Sequence, residues 1–206
     1  MKKFILTAIA LSALCFLFLP PPSAALAQEA NVVNLPPPNR EGGMPLNEAL
    51  NQRRSHRAIL PTELPIDQVS QILWSAFGVN REAGKMRTIP TSHNRQNMLV
   101  FAVLKTGVWL YEAEKNQLSL QLRGDFTGDF SSAPLTILYV VPVADGNVGG
   151  IHVGLAAQSV GLTCASLGLA NVVKTTGADY LKGKLPLPSG FHTLAIHNVG
   201  QPSGLF

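Results

Sequence analysis

Two apolar stretches in the second half of the chain decide the fold: Leu135-Thr136-Ile137-Leu138-Tyr139-Val140-Val141 and the segment from Gly150 to Leu169. The first is a continuous apolar run of β-forming residues, which predicts a central strand. The second is apolar almost all round and contains small residues such as Gly154 and Ala165. It therefore predicts a helix that is buried on most faces, either inside the core or at a subunit interface.

The sequence around these stretches predicts two shorter helices and several strands. Apolar residues recur at helical spacing from residue 46, which predicts a helix with Asn47 as its N-cap and the basic residues 53–57 on its last turns. A second predicted helix, over residues 66–77, ends at Gly78. Further strands are predicted over residues 98–104, 108–111, 118–122 and 193–199. Because these elements do not follow a βαβ repeat, the predicted class is α+β.

The N-terminus has the pattern of a secretory signal peptide. Lys2 and Lys3 precede an uncharged apolar stretch over residues 4–19, and Ala25-Leu26-Ala27 supplies the small-x-small pattern that a signal peptidase cleaves. An uncleaved membrane anchor fits less well, because a bilayer span needs about 20 apolar residues. We therefore expect cleavage after Ala27 and export to the periplasm or to the medium.

The remaining chain is predicted to form one domain. Residues 28–45 contain Pro36-Pro37-Pro38 and Gly42-Gly43, which indicate an extended lead-in. Residues 46–206 are then long enough to bury a core of their own.

Charge and cysteine content exclude several classes of partner. Removal of Lys2 and Lys3 leaves 14 basic and 12 acidic residues, and this net charge of +2 does not indicate a nucleic acid or an anionic membrane as partner. Cys164 is the only cysteine after the leader, so it cannot form a disulfide within its own chain. Its apolar neighbours favour a small buried side chain over a nucleophile.

The basic cluster Arg53-Arg54-Ser55-His56-Arg57 is the first candidate for binding chemistry. On the predicted helix, Arg53 and Arg57 share a face because they are four residues apart. Two guanidinium groups and the hydroxyl of Ser55 suit a phosphate dianion. Taken alone, a solvated helix end that complements the helix dipole explains the cluster equally well.

The polar segment from Pro90 to Asn97 is the second candidate, since it directly precedes a predicted buried strand. Its amide side chains include Asn94 and Gln96, and each can present both a donor and an acceptor to the edge of a flavin ring. An ordinary polar loop is the alternative interpretation.

These segments and several others, taken in chain order, resemble the nitroreductase superfamily and its SagB/thiazoline-oxidase-like dehydrogenase branch. Gln52-Arg53-Arg54-Ser55-His56-Arg57 resembles the Arg-Arg-Ser-x-Arg signature that opens this fold. The other similar segments are residues 64–76, Gly78-Val79-Asn80-Arg81, residues 87–92, residues 107–111, Ala156-Ala157-Gln158, residues 168–173 and Val199-Gly200-Gln201-Pro202. The resemblance therefore extends from about Leu46 to Pro202.

The resemblance implies a central, mainly antiparallel sheet flanked by helices, in an intertwined homodimer that holds two FMN molecules at the subunit interface. Carried over residue by residue, it implies that Arg53, Ser55 and Arg57 hold the FMN phosphate and ribityl chain. Arg54 matches a position that contacts the flavin or ribityl chain mainly through its backbone.

The resemblance also implies contacts to the flavin ring. Asn94 matches the amide side chain that faces the ring, with Gln96 as a nearby candidate. Lys174 and Thr175 match the stretch whose backbone approaches the reactive edge of the flavin. Because the protein mainly orients the ring and tunes its electronics, the resemblance assigns no catalytic nucleophile and no acid–base pair.

The expected function is that of an FMN-dependent oxidoreductase. It would transfer hydride equivalents from a reductant, with NADH or NADPH as candidates, to a small organic or peptide substrate that the sequence does not identify. The alternatives are an exported flavin-binding or degenerate protein without turnover, and an interaction protein that kept only the fold. The former is motivated by Thr175-Thr176, where the family usually has glycine, and by a C-terminus without the basic residue of some relatives.

Two other classes of site find no support in the sequence. With one cysteine and no close His/Asp/Glu spacing, we expect no metal site. His192 and His197 are five residues apart on a predicted strand and therefore point to opposite faces. The absence of a Gly-x-Ser-x-Gly motif leaves hydrolase chemistry without a candidate.

Overall fold

The computed structural model describes residues 31–204 of the chain. The predicted signal peptide over residues 1–27 and the beginning of the lead-in lie outside these described residues, as do the last two residues.

Seven strands form one sheet, and a two-stranded sheet lies apart from it. In chain order the elements are β1 Val32–Asn34, α1 Leu46–Gln52, α2 Ile66–Phe77, β2 Val79–Arg81, β3 Met86–Arg87, β4 Leu99–Leu104, β5 Gly107–Glu112, β6 Gln117–Arg123, β7 Leu135–Pro142, α3 Gly146–Ser166, β8 Ala170–Lys174 and β9 Phe191–Gly200.

The predicted central strand is confirmed. The order of the large sheet is β1-β6-β5-β4-β7-β9-β8, and every neighbouring pair is antiparallel. β7 lies between β4 and β9, with Leu138 opposite Phe101 on one side and Ile196 on the other. The structure therefore has the predicted α+β class with an antiparallel central sheet.

Both faces of β7 are covered, which explains its uninterrupted apolar sequence. Ile137 and Tyr139 pack in a cluster with the buried residues of α2 and α3. Leu138 and Val140 point to the opposite face, where connecting segments supply Phe130, Leu181 and Leu185. Each large apolar side chain buried in this way contributes roughly 1.5–3 kcal/mol of transfer free energy.

α3 is the predicted apolar helix, although it begins and ends a few residues earlier than expected. By length and composition the span Val143–Ser166 is apolar enough to cross a bilayer. In the described domain it instead packs against α1, α2 and strands β7, β8 and β9, which is the position of a core helix. Residues 31–204 leave one face of the helix uncovered, since Ile151 is 60% exposed and Leu155 is 38% exposed.

The first helix differs from the sequence prediction. α1 starts after Pro45 rather than with Asn47 as N-cap, and it ends at Gln52. Arg53 has φ −58° and ψ 121°, outside the helical region. Further on, the backbone N–H of His56 donates to the carbonyl oxygen of Asn171 at 2.8 Å, so this segment pairs with β8 instead of continuing the helix. The prediction that Arg53 and Arg57 share a helix face is therefore wrong.

Part of the lead-in belongs to the domain. β1 extends the sheet by pairing with β6, and Leu35 is buried. The hydroxyl of Ser70 on α2 donates to the carbonyl oxygen of Pro36 at 2.6 Å, and this hydrogen bond attaches the lead-in to α2.

A chain of buried polar side chains connects the last three strands of the sheet. The Tyr139 hydroxyl lies 3.1 Å from Nδ1 of His197, and Nε2 of His197 lies 3.0 Å from Oδ1 of Asn171. Because an amide oxygen only accepts, Nε2 carries the imidazole proton and Nδ1 accepts from Tyr139. His197 is completely buried, and burial lowers the pKa of its imidazole to about 3.

This low pKa predicts a loss of stability in acid. The unfolded chain binds a proton at His197 below about pH 6.5, whereas the folded chain does not until about pH 3. The free energy of unfolding should therefore fall by about 1.4 kcal/mol per pH unit from this group, or about 2 kcal/mol between pH 6.5 and pH 5. Urea unfolding at pH 7 and pH 5 measures this loss, and the variant His197→Gln should show less of it.

The exposed His93 provides the control, because His93→Gln should keep the pH dependence of the parent protein. An equal pH dependence in His197→Gln and the parent would contradict the assignment.

Candidate functional site

Arg53 places the start of the basic cluster against α3. Its backbone N–H donates to the carbonyl oxygen of Ala49 at 2.8 Å and closes α1. Its side-chain stem then passes Gly161, because a Cβ built on Gly161 would lie 3.3 Å from Cδ and 3.4 Å from Cγ of Arg53. The glycine thus leaves room for the arginine stem at the helix surface.

A cavity of about 360 Å³ opens beside this arginine. Two guanidinium-bearing residues and several amides face an apolar wall from α3 and the turn after it. The lining residues are Asn51, Gln52, Arg53, Arg54, Ala165, Gly168, Leu169 and Asn171. Fixed positive charge with donors in a partly enclosed cavity suits an anionic group such as a phosphate.

The other residues that were predicted to contact the phosphate or the reactive edge of the flavin lie outside this cavity. Ser55 and Arg57 follow in the non-helical segment, and both are exposed. Lys174 ends β8, where its Nζ donates to Oγ of Ser131 at 3.3 Å. Thr175 is exposed at the bend that follows. The single chain therefore brings Arg53 and Arg54 together and leaves these four residues at its surface.

The polar loop over residues 91–97 has an unusual backbone. His93, Asn94 and Gln96 have positive φ angles of 52°, 52° and 48°. Such angles are uncommon for residues other than glycine, and they persist where the surrounding structure fixes them. The strain marks this loop as a candidate functional segment.

The start of α3 and the residue before it hold the loop at three points. His152 accepts the backbone N–H of Ser92 at its Nε2, at 2.9 Å. Asp145 accepts from Nη1 of Arg95 at 2.9 Å through one carboxylate oxygen and from Nδ2 of Asn97 at 3.0 Å through the other. The Asp145 side chain is only 4% exposed, so this charge-assisted pair is partly shielded from water.

Side chains of the loop are also bonded to one another and to β3. Arg87 donates from Nε to Oε1 of Gln96 at 2.8 Å. Gln96 in turn donates from Nε2 to Oδ1 of Asn94 at 2.9 Å. Arg87 is held by the ring of Phe77, with its guanidinium carbon 5.2 Å from the ring centroid, and its Nη2 lies 3.9 Å from Glu114. Burial lowers the pKa of Arg87, and Glu114 opposes this effect.

The two candidate clusters meet different parts of α3. The loop contacts Asp145 and His152 near the N-terminal end of α3. Arg53 contacts Gly161, which lies nearer the C-terminal end of the same helix. Gln96 and Arg87 border a second cavity, of about 280 Å³, that does not include the basic cluster. The structure therefore places the clusters along one helix without joining them in one pocket of the monomer.

Several residues that were not predicted from the sequence shape these clusters. Asn171 lines the arginine cavity, and Asp145, His152 and Arg87 fix the loop. An amide between apolar residues at the start of β8 is a signal for Asn171. The partners of the loop have no such signal, because they become neighbours only in the folded chain.

The described residues contain neither a metal-site cluster nor an activated cysteine. In the part of the chain between residues 31 and 204, no group of three His, Cys, Asp or Glu side chains has the spacing of a metal site. Cys164 is completely buried, and burial raises the pKa of its thiol, so it is the predicted small core residue and not an activated nucleophile.

The model of the nitroreductase family matches residues 50–201. No curated protein matches the sequence. Among solved structures, a Ralstonia eutropha JMP134 protein assigned to the nitroreductases is similar at 28% identity and a TM-score of 0.79, over 88% of this chain and 94% of that chain.

Two more distant structures share the fold. A nitroreductase with bound FMN from Desulfitobacterium hafniense DCB-2 is 15% identical with a TM-score of 0.56, over 78% of this chain and 90% of that chain. The E. coli microcin synthetase McbBCD complex, with truncated pro-MccB17 bound, contains a chain that is 15% identical with a TM-score of 0.63, over 90% of this chain and 84% of that chain. The family model covers most of the sequence, and this chain belongs to the nitroreductase family.

Proposed function

We propose that the protein is an FMN-dependent oxidoreductase that acts on a small organic or peptide substrate. The observation that carries this proposal is the cavity lined by Arg53 and Arg54 in a chain of the nitroreductase family. Bound FMN would supply transfer of electrons between a reductant, with NADH or NADPH as candidates, and the substrate.

The donors around the basic cluster fit the phosphate end of FMN. A phosphate dianion needs several hydrogen-bond donors and local positive charge, and the cavity offers two arginines and the amide of Asn171. Ser55 and Arg57 are exposed just beyond it, where their hydroxyl and guanidinium groups are free to turn toward a bound ribityl phosphate. These residues would bind and orient the cofactor.

The strained loop fits the ring end. The flavin ring presents both carbonyl acceptors and an N–H donor at one edge, so it requires oriented amides. Asn94 is exposed and Gln96 half-buried in a loop that α3 holds rigidly, which limits the cost of ordering them on binding. Lys174 ends β8 as a half-buried residue, and Thr175 follows it as an exposed one.

A second copy of the chain is the proposed occupant of the uncovered face of α3. Ile151 and Leu155 expose apolar side chains there, and Leu46 and Leu50 of α1, which packs on α3, are 63% and 49% exposed. A Cβ built on Gly150 or Gly154 would meet no atom within 4 Å, which leaves space for close packing of another helix. A homodimer would remove this apolar surface from water.

A visible absorption spectrum of protein purified after expression of the full 206-residue chain tests the proposal directly. A flavin spectrum that bleaches on anaerobic addition of NADH or NADPH would support an oxidoreductase with that reductant. Bound flavin that does not bleach would favour another donor or a binding role. No uptake of added FMN would sink the proposed function, and the mass of the same sample tests removal of residues 1–27.

Removal of the Arg53 and Arg57 side chains should abolish tight flavin binding. The double variant Arg53→Ala/Arg57→Ala loses two charge-assisted contacts of about 1.5–3 kcal/mol each, so we expect FMN affinity to fall by roughly 100-fold or more. Titration of FMN fluorescence measures the affinity.

The matched control, Arg81→Ala/Lys184→Ala, removes the same charge from two exposed positions away from the cavity. Full flavin affinity in the Arg53/Arg57 variant, or an equal loss in the control, would refute the site.

Gly161→Ala should weaken FMN binding without removing any polar group. The new methyl group would meet the Arg53 stem at 3.3 Å, so the stem must move by a few tenths of an ångström and the guanidinium at its end is displaced with it. We expect FMN affinity to fall about tenfold, the equivalent of about 1.4 kcal/mol. Gly128→Ala is the control, because Gly128 is exposed, lies outside the cavity and has no atom within 4 Å of a built Cβ, so this variant should bind FMN normally.

The proposed dimer predicts that charge on the uncovered face of α3 separates the subunits. Ile151→Glu should shift the protein from dimer to monomer in sedimentation velocity, because an unpaired carboxylate would be buried at the interface. Val143→Glu serves as control, since Val143 has a similar exposure of 59% but lies before α3. A monomeric parent protein at micromolar concentration would rule out the dimer.

A further inference from the structure

Arg87 lies on β3, outside the arginine cavity, and its side chain is hydrogen bonded to Gln96 of the polar loop. Its side chain is 11% exposed and lies between the ring of Phe77 and the carboxylate of Glu114. Its Nε donates to Oε1 of Gln96 at 2.8 Å, and Gln96 continues to Asn94. The three side chains form one continuous path from β3 to the exposed tip of the loop.

The chemistry of arginine fixes the orientation of both amides in this path. A guanidinium has only donors, so Gln96 must turn its oxygen toward Arg87 and its NH₂ group toward Asn94. Asn94 must then turn its oxygen to Gln96, which leaves its own NH₂ group for whatever binds at the tip. The opposite orientation of either amide would place donor against donor, with at least one hydrogen bond lost.

We propose that Arg87 is a positioning residue that acts through Gln96 to make Asn94 a hydrogen-bond donor toward the flavin ring. The inference rests on the proposed function, in which Asn94 faces the ring of FMN. It adds that Asn94 recognises an acceptor of the ring, a carbonyl oxygen or an unprotonated ring nitrogen, and does not accept the ring N–H.

A donor at this position should favour electron-rich flavin. Reduction of a flavin places more negative charge on the ring acceptors, and a hydrogen bond to a charged group is stronger than one to a neutral group. Arg87 therefore influences the midpoint potential without touching the cofactor. The backbone supports the same geometry, since the N–H of Gln96 donates to Oγ1 of Thr91 at 3.0 Å.

The variant Gln96→Glu reverses the relay while preserving its shape. A carboxylate accepts from Arg87 through one oxygen and from Asn94 through the other, so Asn94 turns its oxygen toward the ring. We expect the affinity for reduced FMN, relative to oxidised FMN, to fall about tenfold, which lowers the two-electron midpoint potential by about 30 mV. If the acceptor is a carbonyl oxygen, the infrared carbonyl stretch of bound FMN should also rise, because the carbonyl loses its donor; a shift in potential without this rise would identify a ring nitrogen as the acceptor.

Variants at position 87 test the origin of the orientation. Arg87→Gln can donate or accept and should release the relay, giving a shift in the same direction. Arg87→Lys remains a donor and should restore the parent potential and carbonyl frequency. Arg81→Gln makes the same change of charge on the paired strand β2, outside the relay, and should leave both readouts unchanged.

The experiment uses protein from expression of the full chain, loaded with FMN and titrated with dithionite against a reference dye. Failure of the parent protein to bind FMN would overturn the proposed function. FMN binding with both an unchanged midpoint potential and an unchanged carbonyl frequency in Gln96→Glu would overturn the relay alone. A similar shift in Arg81→Gln would also overturn it, since charge and not orientation would then be the cause. Because Gln96→Glu is isosteric, the test stands even where Arg87→Gln fails to fold.

Discussion

The fold depends on the need to cover both faces of β7. Its residues are almost all apolar and buried, so the chain must supply one layer of helices and one layer of connecting segments around it. α3 provides much of the helical layer, and its two ends determine where the polar clusters lie. Gly161 is nine positions after His152, about 14 Å along the helix axis, and this distance sets the separation between the loop and the arginine cavity.

Much of the fold could be predicted from periodicity. β4, β5, β6, β7 and β9 follow the predicted strands, and α2 ends at Gly78 as expected. The predictions failed where long-range pairing overrides local preference. The sequence of residues 53–57 predicts the end of a helix. In the structure, the backbone of His56 is instead hydrogen bonded to Asn171 of β8. β1 has three residues and is stable only because β6 offers it an edge.

The candidate site was predictable in its residue types and not in its arrangement. The arginines and the amides stand out in the sequence because their chemistry suits a phosphate and a flavin ring. Nothing in the sequence indicates that Asp145 and His152 fix a strained loop that lies 48 to 60 residues earlier in the chain. The orientation of an amide likewise depends on a partner, and Arg87 becomes that partner of Gln96 only when β3 packs beside the loop. Contacts of this kind follow from tertiary structure alone.

The burial of Cys164 determines when the protein is sensitive to oxidation. The thiolate is the species that oxidants and mixed disulfides attack, and in the folded chain this sulfur is both enclosed and held as the thiol. The same sulfur is accessible in every copy that has not yet packed α3 against the sheet. In an oxidising medium, folding therefore competes with disulfide formation between the Cys164 thiols of unfolded chains. The yield of native protein is then governed by folding rate and chain concentration, and no thiol-repair system is required once folding is complete.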